Sequence, residues 1–200
     1  MTIQDLFFLA SVLFCLTTIV SIAISLLRSR FAAASRLARV LSGFVVVYAV
    51  VLVAVSIATP RRFFAPGERQ CFDDWCIAAV SAAPVAERTC PVGPGRSWVV
   101  TFEVSSDARR VRQRARDANA ELEDSQGRRY APCPMASNPL AAELGPGESF
   151  RAELPFPLTA DAQPAGVVMH HGDFPGQLII GEDQSFLHPP ALHRLLPNRP

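Results

Sequence analysis

The chain contains no lysine: all 19 of its basic residues are arginine. That absence removes two classes of enzyme. A P-loop holds its phosphates with a lysine, and Schiff-base catalysis needs a primary amine. Also missing are a C-x-x-C pair, an H-E-x-x-H helix, a G-x-S-x-G elbow and a glycine-rich phosphate loop leading into a helix. The zinc-knuckle, zinc-protease, serine-hydrolase and nucleotide-binding classes therefore lack their usual signatures. Charge, too, is missing from two long stretches: 22 residues from Leu6 to Leu27, and 19 from Val40 to Ala58. A bilayer core of ~30 Å takes about 20 helical residues, so each run is long enough to cross once.

Between these runs lies the arginine-rich stretch Arg28–Arg39, carrying Arg28, Arg30, Arg36 and Arg39. Arginines of short loops stay cytoplasmic, which predicts that both termini lie outside the cytoplasm. Arg61 and Arg62 on the far side weigh against this orientation, two against four. The segment before the first run holds no basic residue, only Asp5, which does not suit a cleaved signal peptide. Small residues such as Ser11, Ser21, Gly43 and Ala49 allow close helix contact. Neither span carries an ionisable group of the kind that marks an ion pathway, so anchoring is expected rather than transport. The organisation read from this is a transmembrane hairpin over 1–60 (spans about 6–27 and 40–58), a linker over 61–69, and an extracytoplasmic β-domain over 70–197.

From Phe63 onward there are 13 Arg against 17 Asp and Glu, a net of −4. A nucleic-acid partner would call for a basic face and is not expected. The periodicity here is two. Trp98, Val100, Phe102 and Val104 share one face of a strand over Ser97–Ser105, and Phe150, Ala152, Leu154 and Phe156 share one face of another. Trp75–Val80, a hairpin of Glu121–Asp124 with Arg128–Tyr130, Val167–His171, Gln177–Ile180 and Leu192–Leu196 bring the set to about seven short strands. Such spacing predicts an antiparallel sandwich. Residues 107–118 also fit a helix, but their context favours a loop or edge strand at the start.

The stretches GERQCFDDWCIAAV (Gly67–Val80), SWVVTFEVSSDARRVRQRARDANAELEDSQGRRYAP, LGPGESFRAELPFPLTADA and HHGDFPGQLIIG together resemble a group of uncharacterised bacterial membrane-anchored proteins. The resemblance runs over about Gly67–Leu196 and rests on structural motifs: a DDW strand entry, a D-x-x-G-x-x-Y hairpin and an L-x-P-G turn. It implies an extracytoplasmic immunoglobulin-like β-sandwich of unknown function and supplies no catalytic residues.

Four of the five cysteines (Cys71, Cys76, Cys90 and Cys133) fall in this domain, while Cys15 lies in the first apolar run. An even set on one side of a membrane suits an oxidising compartment and two disulfides, with three possible pairings. With Trp75 and Ile77 facing the core, Cys76 points outward toward its sequence neighbour Cys71. Cys90 and Cys133 stand at strand ends. Cys71–Cys76 with Cys90–Cys133 is the favoured set. Met169 and His171 share a strand face and form a weak, copper-like metal pair, whereas His170 points the other way. Asp73 and Asp74 read as a turn. Arg109, Arg110, Arg112, Arg114 and Arg116 form a basic run; Arg110, Arg112, Arg114 and Arg116 would line one face and could grip anions or a partner's carboxylates. Charge protection of an edge is the plainer account. The expected function is a non-catalytic interaction or assembly module needing no cofactor. Its partners would be the bilayer and another envelope protein or its own copies. A metal-binding or redox accessory domain is the alternative, and an envelope enzyme is the second.

Overall fold

The structure is a computed structural model, described over residues 3–85, 90, 95–171, 176–183 and 185–195. It divides into two compact units. One holds the two helices and the described residues of 176–189; the other holds the β-structure.

Helix α1 spans Ile3–Leu27 and α2 spans Phe31–Ala58. Both are long and apolar enough to cross a membrane, and at 1.5 Å per residue they reach roughly 37 and 42 Å. They are apolar on every face: Leu9, Leu13, Val20, Val46 and Val50 are all more than half exposed. A soluble helix shows an apolar stripe, not an apolar circumference. The hydroxyls within α1 each turn back to a carbonyl of the preceding turn, as Ser11 Oγ does to Phe7 O (2.8 Å) and Thr18 Oγ1 to Phe14 O (2.7 Å). That leaves no hydroxyl of these pairs unmet in an apolar medium. The helices meet through Phe14 and Phe44 (4.7 Å between ring centroids) and Phe7 and Tyr48 (6.2 Å).

The arginine stretch is mostly helical, which differs from the loop read over Arg28–Arg39. Only Arg28–Arg30 turn, with Ser29 at φ 54°. Alanines 32–34 are good helix formers and nothing breaks the helix before Arg36. Arg39 Nε reaches back to Ser35 O at 3.4 Å, so its side chain runs toward the turn. That is the direction an arginine takes to reach an interface.

The second unit is an antiparallel β-sandwich of immunoglobulin-like type. One sheet orders β2 (Gln70–Phe72), β3 (Trp75–Val85), β4 (Gly95–Ser106) and β7 (Ser149–Thr159). The other orders β1 (Phe63–Phe64), β9 (Leu192–Arg194), β8 (Pro164–His170), β5 (Asn119–Asp124) and β6 (Arg129–Tyr130). The chain makes β3 and β4 in one sheet, crosses for β5 and β6, returns for β7, then crosses again for β8 and β9. That alternation is the immunoglobulin-like path. Its core lies between the sheets, built from Trp75, Ile77, Val100, Phe102, Val104, Leu122, Leu154, Phe156 and Val167. The period-two faces read at β4 and β7 are the inward ones.

Two local expectations change. Residues 61–69, read as a linker, contain β1, which pairs parallel with β9 (Phe63 with Leu192, Phe64 with His193). Gln177–Ile180 turns rather than extending and belongs with the helices; its three apolar residues run without alternation between Gly176 and Gly181. Residues 107–118 are loop, one of the two forms their context favoured, with an isolated bridge between Gln113 and Leu144. Gly166 marks a close approach: a Cβ there would lie 2.6 Å from His193 O and Leu192 Cγ, so only glycine lets β8 meet β9.

Candidate functional site

The D-x-x-G-x-x-Y hairpin organises the first polar cluster. Asp124 is buried at the end of β5, and Gly127 at φ 78° allows the chain to wrap around its carboxylate. Asp124 Oδ1 accepts the amide N–H groups of Gln126 and Arg128, each at 2.9 Å. Oδ2 accepts Arg128 Nε at 2.7 Å and the Tyr130 hydroxyl at 3.1 Å. Burial alone would raise this carboxyl, but the Arg128 side chain and the surrounding donors outweigh it and hold it below the usual carboxylate range. Every lone-pair direction is occupied, so this acid holds a turn and has none left for a substrate. Asp124→Asn is expected to lower the unfolding free energy by about 2 kcal/mol, since it removes charge-assisted bonds and sets an amide N–H2 against donors. Urea unfolding of the full-length protein checks this; an unchanged midpoint would contradict it.

Its neighbour Glu123 is also buried. Arg61 grips it with two bonds of 2.6 and 2.7 Å, while Arg61 Nε reaches Pro190 O at 2.8 Å. The Arg61 hydrogen bond, acting against burial and helped by the Arg61 and Arg129 charges, keeps the Glu123 carboxyl below its ordinary value. Arg62 lies over the Phe64 ring at 4.6 Å. The two arginines that follow α2 are thus engaged within the sandwich. Nothing in their sequence position signals that.

The histidines are equally committed. His193 is fully buried, stacked on Phe64 at 4.5 Å, with Nε2 2.9 Å from Gln70 Oε1. Burial lowers its pKa to about 4, with Glu68 raising it slightly and Arg62 lowering it. No sequence signal marks this residue. His171 Nδ1 lies 2.8 Å from Asp117 Oδ1, and its ring sits against Phe72 and Trp75 at 5.5 and 5.0 Å. His170 Nε2 is 3.5 Å from Glu121 Oε2. Met169 is buried in the core between the sheets. The thioether and imidazole proposed as metal ligands are therefore engaged in packing and in the contact with Asp117.

Cys71 and Cys76 are directly opposite across the β2–β3 hairpin and form a disulfide, with Cα atoms 4.0 Å apart. Asp73 and Asp74 make its two-residue turn, Asp73 at φ 56°, a conformation aspartate tolerates. Cys76 lies on the face away from the core, as the alternation requires, yet it is fully buried rather than exposed. Asp107 Oδ2 covers it at 3.6 Å and is itself held by Arg69 at 3.1 Å. Cys71, Cys76 and Asp107 bring their ligand atoms within 4.8 Å of one another. With the sulfurs bonded to each other, neither is the thiolate that a metal takes. Cys90 and Cys133 form a second disulfide, with Cα atoms 5.5 Å apart. Cys15 is free.

The basic run occupies the 107–118 loop. Arg109, Arg110, Arg112, Arg114 and Arg116 are exposed, as is Val111. Arg112 pairs with Glu143 at 2.6 Å and Arg114 Nε donates to Ala141 O at 2.9 Å. The run does not form a single extended face, because the loop bends where Ala115 and Ala118 enter the core.

These features define a class: two apolar N-terminal helices joined to a disulfide-bonded, immunoglobulin-like sandwich. No protein-family model matches the chain, and no curated protein matches it. Solved structures similar to it include a secreted protein of Mycobacterium tuberculosis, MPT63, at 17% identity and TM-score 0.46, covering 57% of this chain and 93% of that one. An uncharacterized β-sandwich protein of Clostridium difficile is similar at 9% identity and TM-score 0.40 over 69% and 96% of the two chains. The yjhA protein of Bacillus subtilis is similar at 9% and 0.36 over 66% and 99%.

Proposed function

We propose that the protein is a two-span membrane anchor presenting a non-catalytic interaction or assembly module on the extracytoplasmic side. The observation that carries this reading is how the polar side chains are used. Asp124, Glu123, His171 and His193 are each engaged in holding one element to another, while the exposed 107–118 loop displays five arginines. A partner with surface carboxylates, whether another envelope protein or a second copy, suits that loop. The net of −4 over residues 63–200 speaks against nucleic acid.

The orientation follows the arginine count, and the pairing of Arg61 with Glu123 adds to it. A cation already neutralised at 2.6 Å weighs less against the four arginines at the other end. Reporter fusions after Arg36 and after Pro200 test it: a cytoplasmic readout at Pro200 would overturn the extracytoplasmic placement.

Interaction is tested by crosslinking in native membranes. Replacing Arg110, Arg112, Arg114 and Arg116 together by Gln is expected to leave stability within ~1 kcal/mol, as exposed substitutions do, and to abolish the crosslinked species. Retention of every crosslinked species in that variant would remove the loop as the binding surface.

A further inference from the structure

The segment between β8 and β9 leaves the sandwich and folds with the helices. Its described residues, 176–183 and 185–189, form a run of tight turns in which several backbone N–H groups are bonded within the segment. Ile179 N–H donates to Gly176 O, Ser185 N–H to Glu182 O, Phe186 N–H to Gln177 O and His188 N–H to Ser185 O, all within 2.9–3.0 Å. The Ser185 hydroxyl donates to Ile179 O. Irregular backbone is excluded from apolar depth unless it is satisfied in this way.

Three contacts fix the segment to the spans. The Tyr48 hydroxyl donates to Leu178 O at 2.6 Å, and His188 Nδ1 lies 3.2 Å from Ser56 O. Gly181 packs so closely on Gln4 that a Cβ would come within 2.9 Å of its amide. Tyr48 stands ten residues before the end of α2, so the contact lies about 15 Å along that helix from its end. Leu178 also closes an apolar groove of about 360 Å³ between α1 and α2, lined by Phe8, Cys15, Phe44 and Tyr48.

The exposed described residues of this segment are Gln177, Leu178, Phe186, Leu187 and Pro189, all but the first apolar. Leu178, Phe186 and Leu187 are 39%, 52% and 56% exposed. Leu187 holds φ 66°, a left-handed conformation that side chains other than glycine rarely adopt. Glu182 and Asp183 are half-buried on the same segment, which suits headgroup depth and not the hydrocarbon centre. Tyr48 stacks on Phe7 at 6.2 Å, which sets the segment level with the first turns of α1.

We infer that the described residues 176–183 and 185–189 form a third membrane element. It is a re-entrant cap in the leaflet that holds the start of α1, with Leu178, Phe186 and Leu187 against lipid. The occupant is the acyl–headgroup boundary itself, because the exposed apolar residues continue the lipid-facing surface of the helices to which they are bonded. The inference rests on the reading of both helices as spans.

Tryptophan scanning of the full-length protein in phosphatidylcholine nanodiscs tests it. Phe186→Trp and Leu187→Trp are compared with Val46→Trp on α2 and Val111→Trp in the 107–118 loop; the wild type, with Trp75 and Trp98, supplies the baseline. Both cap variants should add blue-shifted emission that lipids brominated near the glycerol end of the chain quench more strongly than lipids brominated near its terminus. Cap variants matching Val111→Trp while Val46→Trp is quenched would overturn the cap and leave the spans standing. If Val46→Trp is not quenched either, the spanning reading falls, and the cap with it.

Discussion

Replacing Cys90 and Cys133 together by serine is expected to lower the unfolding free energy by about 4 kcal/mol, the loss of loop-closure constraint for a bridge spanning this much chain. The two cysteines are 43 residues apart, and β4, β5 and β6 all lie between them. Cys90 follows β3 in the chain and Cys133 follows β6, so the bridge links segments that follow strands of different sheets. Cys133 N–H also donates to Pro155 O at 2.8 Å, which joins the same point to the edge strand β7. The Cys71–Cys76 bridge, five residues apart, closes a loop already shut by a β-turn and should contribute less. Chemical unfolding of the two double-serine variants measures the difference. Equal losses from both would show that the long bridge is not the main brace. Non-reducing peptide mapping of the protein from native membranes reports the pairing itself; a Cys76–Cys90 or Cys76–Cys133 peptide would refute it.

The parts of the fold that were legible in the sequence are those where one face is buried and the other wet. Trp98 to Val104 alternate because β4 is central in its sheet and packs on the opposite layer with one face only. The helices were equally plain, since each is an unbroken apolar run long enough to cross a membrane. What could not be read is pairing over long distance. The two residues of β1 carry no period of their own and become a strand only because Leu192 and His193 lie alongside. Gln177–Ile180 has a strand's composition without its alternation, and Tyr48, more than a hundred positions earlier, takes its carbonyl. The polar sites divide the same way. Asp124 sits in a local motif, six residues from Tyr130, and is visible as a hairpin. Glu123 and His193 are defined by Arg61 and Gln70, partners 62 and 123 positions away. Their burial depends on the closed sandwich.

His193 gives the fold a pH dependence of its own. In the native protein its ring is neutral, the proton on Nε2 shared with the Gln70 amide oxygen, because a charged ring would be stranded between Phe64 and the core with Arg62 nearby. Its pKa is about 4 in the fold, against 6.5 for an ordinary histidine. Between those values the unfolded chain binds a proton that the folded chain does not, so stability rises with pH across the window. The contribution is complete above pH 6.5 and is lost as pH falls toward 4, a decline of about 3 kcal/mol between neutral pH and pH 4. Glu123 and Asp124 act lower. Their depressed pKa values stabilise the fold above the ordinary carboxylate values of 4.5 and 3.8, and that contribution is lost only as pH falls through the native ones. The two effects therefore occupy different windows. Unfolding of wild type and His193→Gln should be measured from pH 7.5 to pH 4. The variant starts less stable, having lost the stacked ring, but its stability should be flatter across the window. If wild type and variant fall in parallel, His193 does not carry the dependence, and a charged ring must be accommodated beside Gln70.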